Sequence, residues 1–119
     1  MKQNKIVRFI PSIIWMMIIF YFSSRSTAGV PIAHNFQFLF FKSLHLIEYA
    51  ILGFLLLFAF LNFKNTLIIG YLYAISDEIH QHFIAGRGSK FTDTLFDLTG
   101  IILGIFLFKL IYKFRVSRK

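Results

Sequence analysis

Four apolar segments, each close to the length needed to cross a bilayer, follow one another through this chain of 119 residues. They run from about Ile6 to Phe22, from Leu44 to Phe63, from Thr66 to about Ile84, and from Leu95 to Phe114. About twenty apolar residues in a helix span a hydrocarbon core of ~30 Å. The connections between them are Ser23–Ser43, the short Lys64–Asn65 turn, and Ala85–Thr94 with its Gly86 and Gly88. Even spacing and short connections predict an all-α, polytopic membrane protein folded as a single antiparallel four-helix bundle. Pro11 falls near the start of the first segment, where a missing N–H is tolerated. The third segment is apolar only as far as Ile75 and then turns polar.

Composition agrees with a membrane protein. Hydrophobic residues make up 57% of the chain and charged residues 15%, against about 25% charged in soluble domains. That balance excludes a disordered chain, and the length leaves no room for a second domain. No cysteine is present, so disulfides, thiolate nucleophiles and cysteine-ligated metals are excluded. The first segment lacks a small-residue cleavage pattern after Tyr21-Phe22-Ser23-Ser24, so it reads as a retained helix and not as a signal peptide.

A net charge of +8 suggests nucleic acid in a soluble domain, but the basic residues here flank apolar segments. Lys2, Lys5 and Arg8 precede the first, and Lys109, Lys113, Arg115, Arg118 and Lys119 close the last. They read as juxtamembrane anchors that touch anionic headgroups, so no nucleic-acid partner is expected. With both termini inside, Lys64 brings the inside count to nine, against Arg25, Lys42, Arg87 and Lys90 outside. Nine against four predicts an N-in, C-in topology.

This topology puts every acid and every histidine on one side. Glu48, Asp77, Glu78, Asp93 and Asp97 are the whole carboxylate inventory, and His34, His45, His80 and His82 the imidazoles. All fall at the outer ends of the predicted helices. At about 100° per residue, Lys42, His45, Tyr49, Leu52 and Gly53 share one stripe of the second helix, with Glu48 on its flank. Gly70, Tyr73, Asp77, His80 and Gln81 share a stripe of the third, with Glu78 to one side. Asp93, Asp97, Gly100 and Gly104 line one face of the fourth. Small residues at this spacing let backbones approach closely in lipid, so the three stripes are expected to face one another around an outward-facing polar pocket.

Ionisable groups at membrane depth are costly and mark functional sites or structural ion-pair networks. Buried ion pairs seldom add net stability, and the density of acids, histidines and outer basic residues favours a site. His45-x-x-Glu48 and Asp77-x-x-His80 have the spacing of carboxylate–histidine metal pairs. The first helix brings no carboxylate to complete such a centre, so no metal and no cofactor are expected. Ser23 and Ser24 read as caps on the first helix, since no paired base is evident. Trp15, Tyr21, Tyr71 and Tyr112 read as interfacial or packing aromatics.

The run Ser76-Asp77-Glu78-Ile79-His80-Gln81-x-Phe83, followed by Gly86-Arg87, Ser89, Asp93, Gly100 and Gly104, resembles the VanZ-like family of small bacterial membrane proteins. Phe22-Ser23-Ser24 and Lys42-x-x-His45-x-x-x-Tyr49 fit the same pattern, so the resemblance covers nearly the whole chain. Ala85 stands where the family usually has Pro before Gly-Arg, and Asp97 where it often has Asn. The resemblance implies a multi-pass protein of the bacterial cell (cytoplasmic) membrane. The family's namesake is associated with low-level resistance to teicoplanin-type glycopeptides, and the family supplies no catalytic mechanism to carry over.

The expected function is binding of an amphiphilic cell-envelope ligand: a membrane lipid headgroup, a lipid-linked wall precursor or a lipoglycopeptide. Arg87, with Lys42 or Lys90, suits phosphate or carboxylate. Glu48, Glu78, Asp93 and Asp97 would orient those bases or take amines and hydroxyls, and Tyr49 and Gln81 add neutral hydrogen bonds. Asp77, His45 and His80 complete the expected ligand-binding set. Two rivals stand beside this reading. One is an integral-membrane enzyme acting on a lipid-linked headgroup, with His45 or His80 as general base. The other is a structural or assembly subunit whose charges form an ion-pair cluster.

Overall fold

The computed structural model of the protein describes residues 5–24, 34–83 and 93–117. It contains four helices, α1 (Lys5–Ser23), α2 (His34–Phe60), α3 (Phe63–His82) and α4 (Asp93–Ser117), and no strand among the described residues. Three of them hold stretches long and apolar enough to cross a membrane: Ile6–Ser23, Lys42–Phe60 and Thr94–Tyr112. The fourth, α3, has 20 residues, about 30 Å of helix. Its last two turns carry Ser76, Asp77, Glu78, His80, Gln81 and His82, which lower its hydropathy.

Two helix limits differ from those expected. α2 begins at His34, ten residues before the apolar run, because no proline or glycine interrupts Asn35–Ser43 and Pro31 lies upstream. The α2–α3 turn falls at Leu61 and Asn62, not at the polar pair Lys64–Asn65. Asn62 is the N-cap of α3, with extended backbone (φ −141°, ψ 122°), and its side chain accepts the Asn65 N–H at 2.9 Å. Lys64 and Asn65 are therefore in the first helical turn. Leu61 takes a left-handed φ of 54° and donates its N–H to the Leu57 carbonyl at 2.7 Å, closing the end of α2. Pro11 sits in the second turn of α1, one residue group deeper than the free N–H groups of the helix start, so the Val7 carbonyl loses its usual donor.

α2 is the organising helix: it packs against each of the other three, whereas α1 and α4 share no contact among the described residues. The buried core gathers around it, from Tyr49, Leu52, Leu56 and Leu57 to Ile19 of α1, Ala74 of α3, and Ile101 and Ile105 of α4. The outer surface is apolar, with Ile6, Met17, Leu72, Leu95 and Phe106 among its exposed side chains. In lipid such a surface is solvated, and helix association rests on close packing and interhelical hydrogen bonds.

Both devices are present. A Cβ on Gly100 would lie 2.6 Å from the Leu46 carbonyl oxygen, and one on Gly104 or Gly53 would strike the Ala50 or Ile101 carbonyl more closely still. Here backbone meets backbone, and only glycine permits it. α1 is tied down instead by donors reaching neighbouring carbonyls. Trp15 Nε1 donates to Glu48 O and Arg8 Nη2 to Phe58 O, both at 2.8 Å, and the Tyr73 hydroxyl donates to Met16 O. Arg8 thereby satisfies one of the orphan carbonyls at the end of α2 and lies 5.0 Å over the Phe58 ring. Trp15, expected to be interfacial or packing, is a tether between α1 and α2.

Candidate functional site

The polar residues collect at the end of the bundle opposite Arg8 and Lys109, which sit beside Phe58 and Phe63. Three carboxylates are almost wholly out of solvent: Asp77 at 3% exposure, Glu78 at 6% and Asp97 at 1%. Helix geometry puts them there. On α3 the buried positions are Thr66, Gly70, Ala74, Asp77, Glu78 and Gln81, a 3–4 spacing that continues a small-residue stripe into a polar one. On α4 the buried line of Asp97, Gly100, Ile101, Gly104 and Ile105 does the same.

Gln81 is the hub of the cluster. Its amide Nε2 donates to Ser23 Oγ of α1 at 3.2 Å and lies 3.4 Å from His45 Nε2 of α2 and 3.5 Å from Asp77 Oδ2 on its own helix. Two N–H bonds thus serve three acceptors, which makes the longer contacts weak ones. Asp77 Oδ2 also takes the fully buried Tyr49 hydroxyl at 2.9 Å. His45 Nδ1 is 3.3 Å from Asp97 Oδ1 of α4. The two atoms approach without hydrogen-bond alignment, so the contact is one of charge proximity. One chain of contacts therefore runs Asp97–His45–Gln81–Asp77–Tyr49, touching α2, α3 and α4, with Ser23 attaching α1.

Nearer the helix ends, Ser24 Oγ lies 2.9 Å from His80 Nε2 and donates to the Phe20 carbonyl at 2.9 Å, while the His80 ring stacks on Phe20 at 4.2 Å. Because the hydroxyl proton goes to Phe20, the imidazole is the donor in the Ser24 contact, and the pair clamps α1 to α3. Ser24 does cap α1, as expected. Ser23 does more than cap: it is buried and accepts from Gln81.

Of the expected site residues, His45, Tyr49, Asp77, Gln81 and Asp97 come together in one network. Glu78 is buried on the same turn of α3, and His80 binds Ser24 beside them. Lys42 sits 5.4 Å over the Phe96 ring, linking α2 to α4. Glu48 is partly exposed, and its backbone carbonyl holds Trp15. Arg87, Lys90 and the side chains of Asp93 and His34 lie outside the described residues. His82 is exposed and packs edge-on against Phe83, away from the cluster. Among the described residues no three His, Asp or Glu side chains are arranged to hold a metal ion. The two i, i+3 pairs do not converge, because His45 turns to Asp97 and His80 to Ser24.

Sequence reasoning passed over Ser23 as a member of the network, and Trp15 and Tyr73 as tethers. Nothing at position 23 distinguishes a terminal cap from a buried acceptor; the distinction comes from which face of α3 docks there. A shallow apolar groove between α3 and α4, lined by Leu67, Ile68, Tyr71, Leu72, Leu98 and Ile102, is separate from the cluster.

Comparison with known proteins gives one match. The family model described as VanZ/LLP1 aligns with residues 8–112, nearly the whole chain. No curated protein and no solved structure matches.

Proposed function

Because the chain belongs to the VanZ/LLP1 family and three of its four described helices are long and apolar enough to cross a membrane, we propose that it binds the polar headgroup of an amphiphile at the outer boundary of the bacterial cytoplasmic membrane. The ligand class is a membrane lipid, a lipid-linked wall precursor or a lipoglycopeptide. Such a protein would contribute to resistance against teicoplanin-type glycopeptides by altering how these amphiphiles are presented. One observation carries the reading: Asp77, Glu78, Asp97, His45 and Gln81 are buried together at one end of a bundle whose helix flanks expose many large apolar side chains. Polar groups withdrawn from solvent in a membrane protein are expensive unless they meet a ligand or one another. The excess of Lys and Arg at the opposite end supports an outward orientation for this cluster.

Native mass spectrometry of the protein released from nanodiscs tests the proposal. A co-purifying amphiphile is expected from wild type, with its retention reduced in Arg87→Ala and Asp97→Asn. Release of bare protein under every lipid condition would defeat it.

The Asp97–His45 contact favours a second reading. A carboxylate beside an imidazole is the arrangement of a general base and the group that positions it. On this reading the same nanodisc spectra show a lipid-linked substrate losing or exchanging its headgroup over time, and His45→Ala stops the change. A mass that stays constant with time sinks it.

A further inference from the structure

Ser24 and His80 are 56 residues apart in the chain, yet the fold sets a hydroxyl against an imidazole nitrogen. Ser24 Oγ stands 2.9 Å from His80 Nε2 and 2.9 Å from the Phe20 carbonyl oxygen. Ser12, Thr66, Ser76 and Thr99 also bond a backbone carbonyl three or four residues back; Ser24 adds the imidazole. That ring is held at two points by α1. Phe20 and Ser24 lie one turn apart, so the imidazole stacks on the Phe20 ring at 4.2 Å while its Nε2 meets the hydroxyl. A nucleophile and a base within hydrogen-bond reach, with the base oriented by a third group, is the arrangement that activates a serine. In the resting arrangement the hydroxyl proton goes to Phe20. With the ring proton on Nδ1, Nε2 becomes an acceptor, and a turn about the Cβ–Oγ bond brings the hydroxyl proton to it.

Access and depth set the substrate. Ser24 is exposed and His80 half-buried, so the pair is open, unlike the enclosed residues around Gln81. The apolar span Ile6–Ser23 ends one residue before Ser24, and the exposed Tyr21 ring lies within the turn before it, a side chain suited to headgroup level. That level is where esters join the acyl chains of a glycerolipid to its headgroup. We propose that Ser24 and His80 form an esterase site acting on a carboxylic ester of a membrane amphiphile, with Ser24 as nucleophile and His80 as general base. Ser24 Oγ attacks the ester carbonyl carbon as its proton passes to His80 Nε2. Collapse of the tetrahedral adduct breaks the bond to the glycerol oxygen, which takes that proton and leaves as the lysolipid alcohol. Water then gives a proton to Nε2 and attacks the acyl-Ser24 ester. Oγ departs, recovers the proton, and a fatty acid is released. The site uses neither His45 nor Asp97 and stands independently of headgroup binding by the buried cluster.

The test uses the full chain in nanodiscs of diacyl phosphatidylglycerol, with the lipids followed by mass spectrometry. Wild type is expected to release fatty acid and lysophosphatidylglycerol, and to leave the dialkyl-ether analogue intact. An alkyl fluorophosphonate, whose fluoride an activated serine displaces, is expected to add one phosphonyl group that peptide sequencing maps to Ser24. Ser24→Ala should abolish both signals. His80→Gln separates a base from a clamp. Its amide keeps an N–H for Ser24 Oγ, and so the tie between α1 and α3, but cannot take a proton. Both rates should fall about hundredfold or more while the folded monomer is retained. Wild-type rates in His80→Gln would make the pair a clamp and overturn the proposal. An adduct on another serine, or fatty-acid release that persists in Ser24→Ala, would do the same. The wild-type arm decides even if both variants fold poorly: intact diacyl lipid and no adduct rule the esterase out and leave headgroup binding by the buried cluster untouched.

Discussion

α2 meets its neighbours in two unlike ways. Towards α4 it offers backbone: Leu46, Ala50 and Gly53 lie against Gly100, Ile101 and Gly104 so closely that a Cβ at the glycines has nowhere to go. Towards α1 and α3 it offers side chains and carbonyls, with Tyr49 reaching Asp77, His45 reaching Gln81, and Glu48 O receiving Trp15. The first contact is backbone against backbone and depends on the absence of a Cβ. The second is polar and depends on each donor finding its acceptor. The seam toward α4 therefore has one arrangement set by sterics, whereas the cluster is held by the matching of donors to acceptors. His45 joins the two faces, since its other nitrogen crosses to Asp97 on α4.

The largest effects should come from breaking the seam. Gly104→Leu places a branched side chain against the Ala50 carbonyl and is expected to cost about 3 kcal/mol or more, seen as loss of the folded monomer or a sharp fall in melting temperature in detergent. Gly70→Ala sharpens the contrast. Its new Cβ meets side-chain atoms of Ile101 and no backbone, with Cδ1 at 3.0 Å and Cγ1 and Cγ2 at 3.4 Å, so a cost of about 1 kcal/mol is expected. Equal damage at both positions would show that glycine matters here for something other than helix approach.

Breaking the hub comes next. Gln81→Leu removes the donor shared by Ser23, His45 and Asp77 and should cost about 2 kcal/mol, with α1 the first helix to gain hydrogen exchange, because Ser23 loses its partner. The smallest effect is the coupling between the two faces. A double-mutant cycle of His45→Ala with Asp97→Asn should give an interaction of about 1 kcal/mol. Strict additivity would mean that the two faces of α2 act independently.

Much of this contrast was legible in the sequence, for a physical reason. Helical periodicity is local, so the stripes of His45, Tyr49 and Gly53, of Gly70, Asp77 and Gln81, and of Asp97, Gly100 and Gly104 follow from the residues alone. The structure buries these residues, whereas Lys42, Tyr73 and His80 of the same expected stripes are only partly buried and the Asp93 side chain lies outside the described residues. What periodicity does not carry is pairing. Tyr49 with Asp77, His45 with Asp97 and Ser24 with His80 depend on the relative height of helices, which no single helix encodes. Glu78, read as lying to one side, is buried because α3 is covered over more of its circumference than one stripe. The turn at Leu61 and Asn62 was missed because the exposed polar pair after it looked more turn-like, while a leucine in the left-handed region is rare.

The glycine seam also has a consequence for biogenesis. Helices enter the membrane in chain order, and α2 lies beside α4, which is made after α3. Until α4 arrives, the Leu46–Gly53 face of α2 must be covered by lipid or by an insertion partner, and His45 waits without its carboxylate. A ribosome-bound chain ending before Asp97 therefore holds α1 to α3 without their fourth partner, and assembly of the polar end waits for α4.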